Sequence, residues 1–376
     1  MKPIGVKLVR SAKLKQPTRG EVDPNIVHTM SSSDLLRAFA LQVEWCRKLD
    51  AHFTADVVDT LAGQLRSNGP LAELLPDWPG DPIADAVPLR LCGALRALAL
   101  AGNRPLAALY PPATSTLDRE ALVQEVNAAL GTSRSFLERM LKQPPQTNEI
   151  GRSAVLLGGF AKIAQSTRLP LALLEIGASA GLNLHWDRYG YELGDVAWGD
   201  PVSPVRIRSQ WRGSLPHLPP AIRVASRAGC DKAPLDPRSE ADRRNLLAYV
   251  WPEQHERVSR LRAALDLAQA DESAVDRADA EDWVHRHLAQ RSAGETTVVY
   301  HSIVWQYLAE DTQRAVQMAI NDAGNAATDD APLAWLAFEL GAEGQPPTLA
   351  LTQWPGGYRR TLAKAHPHGA WVEWFS

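Results

Sequence analysis

The sequence predicts an α/β protein: a mostly parallel sheet with helices on both faces, preceded by an α-helical N-terminal domain. Three observations support this fold class. Residues 31–150 show helical periodicity without a strong strand pattern. After residue 150, apolar β-type runs alternate with helical stretches, which is typical of a parallel sheet covered by helices. The first of these runs, at 171–176, passes directly into a turn of small residues.

The composition indicates a globular protein and excludes several classes. The chain has 376 residues, of which 45% are hydrophobic and 22% charged, and its formal net charge is -3. It lacks the basic field typical of nucleic-acid binding, and no apolar stretch approaches the roughly 20 residues of a membrane-spanning helix. Cys46, Cys92 and Cys230 are scattered, which suits a reducing compartment. We therefore expect a cytoplasmic protein that binds a small molecule rather than nucleic acid or a membrane.

The first 150 residues divide into a tail and a helical domain. Residues 1–30 are predicted to be a flexible basic tail, since no acid precedes Glu21 and no apolar segment resembles a secretory signal. Residues 31–150 are predicted to form the helical domain. Ser33 and Asp34 can cap its first helix. Further helices are predicted at 87–101, 119–130 and 133–141.

Residues 151–376 are predicted to form the sheet domain. Strands are expected at 171–176, 222–226, 296–304, 331–339 and 347–353, with a weaker run near 273–277. Helices are expected at 149–167, 239–249, 253–269, 280–290 and 311–323. Residues 190–220, rich in Gly, Pro and Trp, are too long for an ordinary loop and are predicted to form an insertion over a site.

The turn after the first strand carries the main functional signal. Read as Glu175-x-Gly177-x-x-x-Gly181, it resembles the strand–loop–helix that holds S-adenosylmethionine in Rossmann-like methyltransferases. Small residues there let backbone N–H groups and a helix start approach an anionic group of the ligand. The residues of this segment predicted to bind the cofactor are Glu175, Gly177, Ala178, Ser179, Gly181 and Asn183.

The same turn also reads as Gly-x-Ser-x-Gly, the nucleophile elbow of an α/β-hydrolase, with Ser179 as nucleophile. The required order of acid and then histidine is met by Asp329 or Asp330, followed by His366 or His368. The fold fits this interpretation less well, because an elbow normally follows several strands and no HGGG-type loop lies upstream.

Acids after later strands favour the cofactor interpretation. Asp231 follows the second predicted strand and Asp279 the third, where carboxylates grip ribose hydroxyls in nucleotide sites. We predict that Asp231 contacts the ribose and Asp279 the adenine. A classical dinucleotide fingerprint is not supported, since Ser179 and Leu182 stand where it needs glycine.

The acceptor side of the predicted site is assembled from several segments. His301 follows an apolar strand and is predicted to be the catalytic base, because histidine is the residue type best suited to acid–base chemistry near neutral pH. The predicted substrate-binding residues are Asn148, Glu149, Arg152, Asp187 and Trp305. Trp198, Trp211 and Trp305 are the expected pocket walls. The pairs His185/Asp187 and His366/His368 lack a clear third ligand, so no metal is predicted.

Long motifs connect the chain to one family. They are QTNEIGR at 146–152, LLEIGASAGLNL at 173–184, WDRY at 186–189, RAGCDKAPLDP at 227–237 and TVVYHSIVWQYL at 297–308, with WPGG and AHPHGAWVEW near the C-terminus. By these motifs the chain resembles an uncharacterised bacterial family, domain of unknown function 2332 (DUF2332), from about residue 146 to 374 and more loosely from 34. The resemblance implies a Rossmann-like, class I methyltransferase-like fold with a helical N-terminal extension.

Together these observations predict an S-adenosylmethionine-dependent methyltransferase acting on a small-molecule oxygen or carboxylate. Three departures from the usual pattern qualify that prediction. Ser179 replaces a central glycine, Asp231 follows Gly177 by 54 residues, and Tyr300-His301-Ser302-Ile303 stands where amino-group methyltransferases carry an NPPY-type motif. Two other functions stay open, namely a Ser179 esterase and a non-catalytic ligand-binding protein.

Overall fold

The computed structural model describes residues 32–75, 78–271, 275–342 and 344–375. The predicted basic tail at 1–30 lies outside them. The chain divides into two compact units, one formed by residues 148–243 and 260–375, the other by residues up to 147 together with 244–259. No helix in the described part of the chain is long and apolar enough to span a bilayer.

The first unit along the chain is helical, as predicted. Its helices are α1 (Ser32–Lys48), α2 (His52–Arg66), α3 (Val87–Leu100), α4 (Arg104–Ala108), α5 (Arg119–Thr132) and α6 (Arg134–Lys142). Their apolar faces enclose one core that includes Phe39, Leu61 and Leu95. The segment 244–259 belongs to this unit, where Glu253 accepts hydrogen bonds from both the N–H and the hydroxyl of Thr54, near the start of α2.

The remaining elements begin with α7 and the first strand. They are α7 (Ser153–Thr167), β1 (Leu171–Ile176), β2 (Gly190–Leu193), β3 (Val196–Gly199), β4 (Arg206–Arg212), β5 (Val224–Asp231), α8 (Glu240–Ala248), α9 (His255–Gln269), β6 (Val275–Arg277), α10 (Ala280–Leu288), β7 (Thr296–Ser302), α11 (Glu310–Asn325), β8 (Leu333–Glu339), β9 (Thr348–Trp354), β10 (Tyr358–Ala365) and β11 (Trp371–Trp374). Short 3-10 helices span Ile150–Arg152, Leu182–Arg188 and Trp305–Tyr307.

All eleven strands form one mixed sheet in the order β3-β2-β4-β11-β10-β9-β8-β7-β1-β5-β6. Strands β6, β5, β1, β7 and β8 are mutually parallel, whereas β9, β10 and β11 continue the sheet as an antiparallel meander. Among the parallel strands, β5 and β6 lie on one side of β1, and the later β7 and β8 lie on its other side. This reversal makes the carboxyl edge between β1 and β7 the switch point of the sheet, where α/β proteins bind ligands.

Helices cover both faces of the parallel strands. On one face, Gly159 of α7 packs so closely on Leu336 of β8 that an added Cβ would lie 2.4 Å from a Leu336 methyl carbon. On the other face, Val316 of α11 packs in one core with Trp335 of β8. Because neighbouring residues of a strand point to opposite faces, Leu336 and Trp335 mark the two layers. The predicted α/β class and mostly parallel sheet are therefore confirmed.

Three predicted details differ from the structure. The insertion at 190–220 supplies β2, β3 and β4 to the sheet instead of a loop over the site. The second strand runs on to Asp231, because residues 226–230 pair with β1 along its whole length. The segment after β1 is a 3-10 stretch and not an α-helix, since the Tyr189 and Tyr191 hydroxyls donate to the carbonyls of Leu182 and Trp186.

Candidate functional site

The switch point carries a turn with three residues in the left-handed region. Gly177, Ser179 and Gly181 have φ values of +69°, +54° and +72°. Glycine adopts this conformation freely, but serine does so at a cost, which the Asp231 side chain offsets by accepting the Ser179 N–H at 3.0 Å. At the end of neighbouring β7, Ile303 has φ +52°, which is rare for a β-branched residue. Backbone strain at two adjacent strand ends is typical of functional sites.

Most N–H groups of this turn are already bonded within the protein. The groups of Gly177 and Ala178 donate to the Cys230 carbonyl, that of Ser179 to Asp231, that of Gly181 to the Ala178 carbonyl, and that of Leu182 to the Asn148 side chain. Val304 also covers Gly177, where an added Cβ would lie 2.4 Å from a Val304 methyl carbon. Four of the five N–H groups at Gly177–Gly181 therefore have a partner within the protein, and that this segment binds the cofactor stays a prediction.

Glu175 is a buried acid directly below the turn. Its side chain lies in register with Tyr300 of β7, whose hydroxyl donates to Glu175 Oε2 at 3.1 Å. Only 1% of the residue is exposed, and it forms no ion pair within the described part of the chain. Burial raises the pKa of Glu175 to about 8, although the Tyr300 hydrogen bond and the charge of Arg152 lower it. The side chain therefore holds a proton at neutral pH.

The other two predicted cofactor acids have different environments. Asp231 lies beside the turn, accepting the N–H of Ser179 through Oδ2 and that of Ala233 through Oδ1 at 2.9 Å. Asp279 instead caps α10, accepting the Glu281 N–H at 3.1 Å, and pairs with Lys232 at 3.2 Å. The structure thus brings Asp231 to the turn, whereas Asp279 already has a structural role.

Asn183, predicted to bind the cofactor, and Glu149 and Arg152, predicted to bind the substrate, make structural hydrogen bonds near this edge of the sheet. Asn183 Oδ1 accepts the Ser153 hydroxyl at 2.7 Å, and Glu149 Oε1 accepts the Gly151 N–H at 3.0 Å with Arg260 at 3.6 Å. Arg152 donates to the carbonyls of Pro367 at 3.0 Å and Ser302 at 2.9 Å. Arg152 therefore joins the end of β7 to the turn between β10 and β11.

Asp187 lies in a separate buried ion-pair cluster. Arg227 contacts both carboxylate oxygens of Asp187, at 3.2 and 3.1 Å. The same guanidinium lies 3.4 Å from His185 Nδ1. Burial first, and Arg227 second, lower the pKa of His185 to about 4. No group of three or more His, Cys, Asp or Glu within the described ranges is placed to hold a metal ion.

His301 is fully engaged by two neighbours. Trp335 Nε1 lies 3.0 Å from His301 Nε2, and because an indole N–H only donates, Nε2 must accept. The proton therefore resides on Nδ1, which donates to Glu339 Oε1 at 2.6 Å. Trp305 stacks on the ring at 4.9 Å between centroids. With its basic nitrogen occupied, His301 is poorly suited to the predicted role of catalytic base.

Glu339, at the end of β8, is a functional candidate that sequence reasoning missed. Its Oε1 accepts from His301 Nδ1 and from the Val304 N–H at 3.1 Å, whereas its buried Oε2 has no hydrogen-bond partner among the described residues. The signal was available, because Glu339 is an acid at the end of a predicted parallel strand. The predicted cofactor acids Glu175, Asp231 and Asp279 belong to the first three predicted strands.

The motifs behind the family resemblance meet at this edge of the sheet. The turn at 177–181, the loop after His301 and the segment 148–152 are joined by Val304, Asn148 and Arg152. The family profile described as an uncharacterized protein conserved in bacteria (DUF2332) matches residues 36–374. The chain belongs to this DUF2332 family. No curated protein matches it.

The hydrolase triad is not assembled in this DUF2332 protein. The Ser179 hydroxyl is buried and has no hydrogen-bond partner in the part of the chain that the structure describes. The Asp330 carbonyl accepts the Gly294 N–H just before β7 begins, so Asp329 and Asp330 lie at the amino edge of the sheet, opposite Ser179. One feature does fit an elbow, namely the left-handed backbone of Ser179 after a parallel strand.

Two of the three predicted pocket tryptophans pack elsewhere. Trp198 of β3 stacks on Trp186 at 6.0 Å and donates to the Pro219 carbonyl at 2.7 Å. Trp211 of β4 stacks on Trp374 at 5.6 Å. Trp198 therefore packs against the 3-10 segment after β1, and Trp211 packs between the insertion and the C-terminal meander. Trp305 is the only one of the three that lies beside His301.

Proposed function

We propose that this protein is an S-adenosylmethionine-dependent methyltransferase that acts on a small-molecule oxygen or carboxylate, with the cofactor bound at the carboxyl ends of β1 and β5. The order of the five parallel strands supports this assignment, since β1 lies between β5 and β7 and borders the switch point. The strained turn after β1 supports it too, because strain persists where function requires it. When bound, the cofactor would supply an electrophilic methyl group.

The observation that carries the proposal is Glu175. A buried carboxyl with one hydroxyl donor and no ion pair among the described residues is costly unless a cationic group joins it. The cofactor bears an ammonium and a sulfonium, so its charge fits this acid. Asp231 also fits a ribose hydroxyl, since each of its oxygens accepts one hydrogen bond and retains a second lone pair. The turn has few N–H groups left for the methionine carboxylate, because four of the five at Gly177–Gly181 are already bonded.

In this assignment the chain's own residues bind and orient the cofactor and the acceptor, and they form no covalent bond to either. Asp231 accepts a hydrogen bond from the turn and binds the ribose, and Glu175 pairs with the ammonium. The segment 148–152, which is bonded to Leu182 through Asn148, borders this edge of the sheet. We assign no adenine contact to Asp279, whose oxygens cap α10 and pair with Lys232. Rate acceleration would come mainly from holding donor and acceptor in line.

The test is thermal unfolding with and without S-adenosylhomocysteine. At about 100 times Kd, a ligand that binds only the folded state adds ~2.7 kcal/mol, which raises Tm by roughly several degrees. Asp231→Asn should weaken binding by roughly tenfold or more, whereas Asp279→Asn, which keeps the helix cap, should leave it unchanged. Because the ammonium needs ionised Glu175, affinity should rise as pH approaches 8, and Glu175→Gln should flatten that rise.

Absence of any shift at millimolar ligand would contradict the proposal. A shift without methyl transfer to any acceptor would favour the non-catalytic binding protein. The left-handed Ser179 keeps the esterase testable in the same samples. Labelling by a fluorophosphonate probe in wild type, lost in Ser179→Ala, would support the esterase instead.

A further inference from the structure

The His301–Glu339 pair is built differently from the rest of the site. One carboxylate oxygen, Oε1, is fixed by two donors, His301 Nδ1 at 2.6 Å and Val304 N at 3.1 Å. The other, Oε2, is buried without a partner among the described residues, although 17% of the side chain is exposed. A buried carboxylate oxygen without a donor is costly, and such groups in native proteins mark a missing partner.

The surroundings of Glu339 define what that partner is. The rings of Trp305, Trp335 and His301 lie within 6.0 Å of one another between centroids, so the carboxylate adjoins a cluster of packed aromatic rings. A carboxylate only accepts hydrogen bonds, and a second anion beside it would be repelled. The partner therefore has to donate a hydrogen bond, be uncharged or cationic, and be able to contact aromatic rings.

We propose that Glu339 Oε2 binds the hydroxyl of a neutral alcohol or phenol, with His301 as the residue that positions the carboxylate. As an assignment of the methyl acceptor, this rests on the proposed function, and it narrows the acceptor from oxygen or carboxylate to hydroxyl. Methylation of a hydroxyl oxygen forms an O–C bond and breaks an S–C bond of the sulfonium donor, whose electron pair stays on sulfur. The hydroxyl proton released in that step passes to Oε2.

The position of Glu339 suits this role. Val304, whose N–H holds Oε1, also covers Gly177 of the turn, so one residue contacts both the proposed cofactor turn and the acid. Trp335 fixes His301 as the Nδ1–H tautomer, so the imidazole donates to Glu339 and takes no proton from the acceptor. This reverses the roles predicted from sequence, where His301 was the base.

Phenol and benzoate provide a matched pair of probes, since they share a ring and differ in charge. Titration calorimetry on wild type should show phenol binding at least roughly tenfold tighter than benzoate, the size expected for a hydrogen bond to a charged group. Phenol should also shift the indole N–H resonances of Trp305 and Trp335, identified by loss of one peak in each Trp→Phe variant. In Glu339→Gln the ratio of the phenol affinity to the benzoate affinity should fall toward one.

Equal or tighter benzoate binding, unchanged indole resonances, or an unchanged preference in Glu339→Gln would each overturn the assignment. The wild-type measurement alone can do so, whether or not the variant folds. The S-adenosylhomocysteine shift, measured in parallel, separates the two proposals. A shift without phenol preference removes only the role of Glu339, whereas phenol preference without a shift retains this site and removes methyl transfer.

Discussion

Glu175 and Glu339 lie near the ends of two strands at the same edge of the sheet, and their environments are opposite in kind. Glu175 of β1 lies beside Tyr300, which packs edge-on against Phe160 of α7. Glu339 of β8 lies beside His301, on the face whose core includes Trp335 and α11. Because Tyr300 and His301 are consecutive residues of β7, the two acids lie on opposite faces.

The difference shows how environment separates the chemistry of like residues. Glu175 has a single hydroxyl donor and a buried position, which raises its pKa to about 8. Glu339 has two N–H donors on one oxygen and none on the other, which orients the carboxylate. The first acid suits a cation that displaces its proton, and the second suits a group that donates one. Val304 joins the two regions.

Gly177→Ala should give the largest loss of stability, since it strains the junction of the two regions. A left-handed non-glycine residue costs about 1–2 kcal/mol, and overpacking against Val304 adds about 1–3 kcal/mol. We expect a total loss of about 3 kcal/mol by urea unfolding. Adding Val304→Ala should recover the packing part but not the backbone part. Gly131→Ala, where nothing lies within 4 Å, is the matched control and should be neutral or stabilising.

Glu175→Gln should change stability in a pH-dependent way. The unfolded chain releases this proton near pH 4.5, whereas the folded protein retains it to about pH 8. Stability of the wild type is therefore lost as pH rises between these values, by about 3 kcal/mol at pH 7. Glutamine avoids this loss, so the variant should match wild type near pH 4.5 and exceed it at pH 8. The charges facing the group, Arg152 and Asp231, are present in both proteins. Parallel unfolding curves across pH would refute the buried-acid description.

The sequence predicted several strands of the sheet well because periodicity and apolar runs are local signals. The strand at 171–176 coincides with β1, and 331–339 and 347–353 match β8 and β9 within two residues. The prediction failed where contacts between distant parts of the chain determine the local structure. Strands β2, β3 and β4 join the rest of the sheet through the pairing of β4 with β11, which lies far along the chain. The 3-10 segment after β1 depends on two tyrosine hydroxyls that a local pattern does not reveal.

The candidate site shows the same division. That Asp231 lies beside the turn could be predicted, because the carboxyl ends of adjacent parallel strands share one edge. Which atoms remain available could not be predicted. Trp335, on a different strand, donates a hydrogen bond to Nε2 of His301. Because of that hydrogen bond, Glu339 is the better candidate for the base than His301.

The acid that follows β6 gives the smallest expected effect and sharpens the comparison with the other two. Asp279→Ala should cost about 1 kcal/mol, because it removes the cap of α10, and Asp279→Asn only a few tenths, because asparagine caps equally well. The exposed pair with Lys232 should add little. In both variants S-adenosylhomocysteine should raise Tm as much as in wild type. If Asp279→Asn keeps its stability but loses that shift, the adenine contact predicted from sequence is real and the end of β6 belongs to the site.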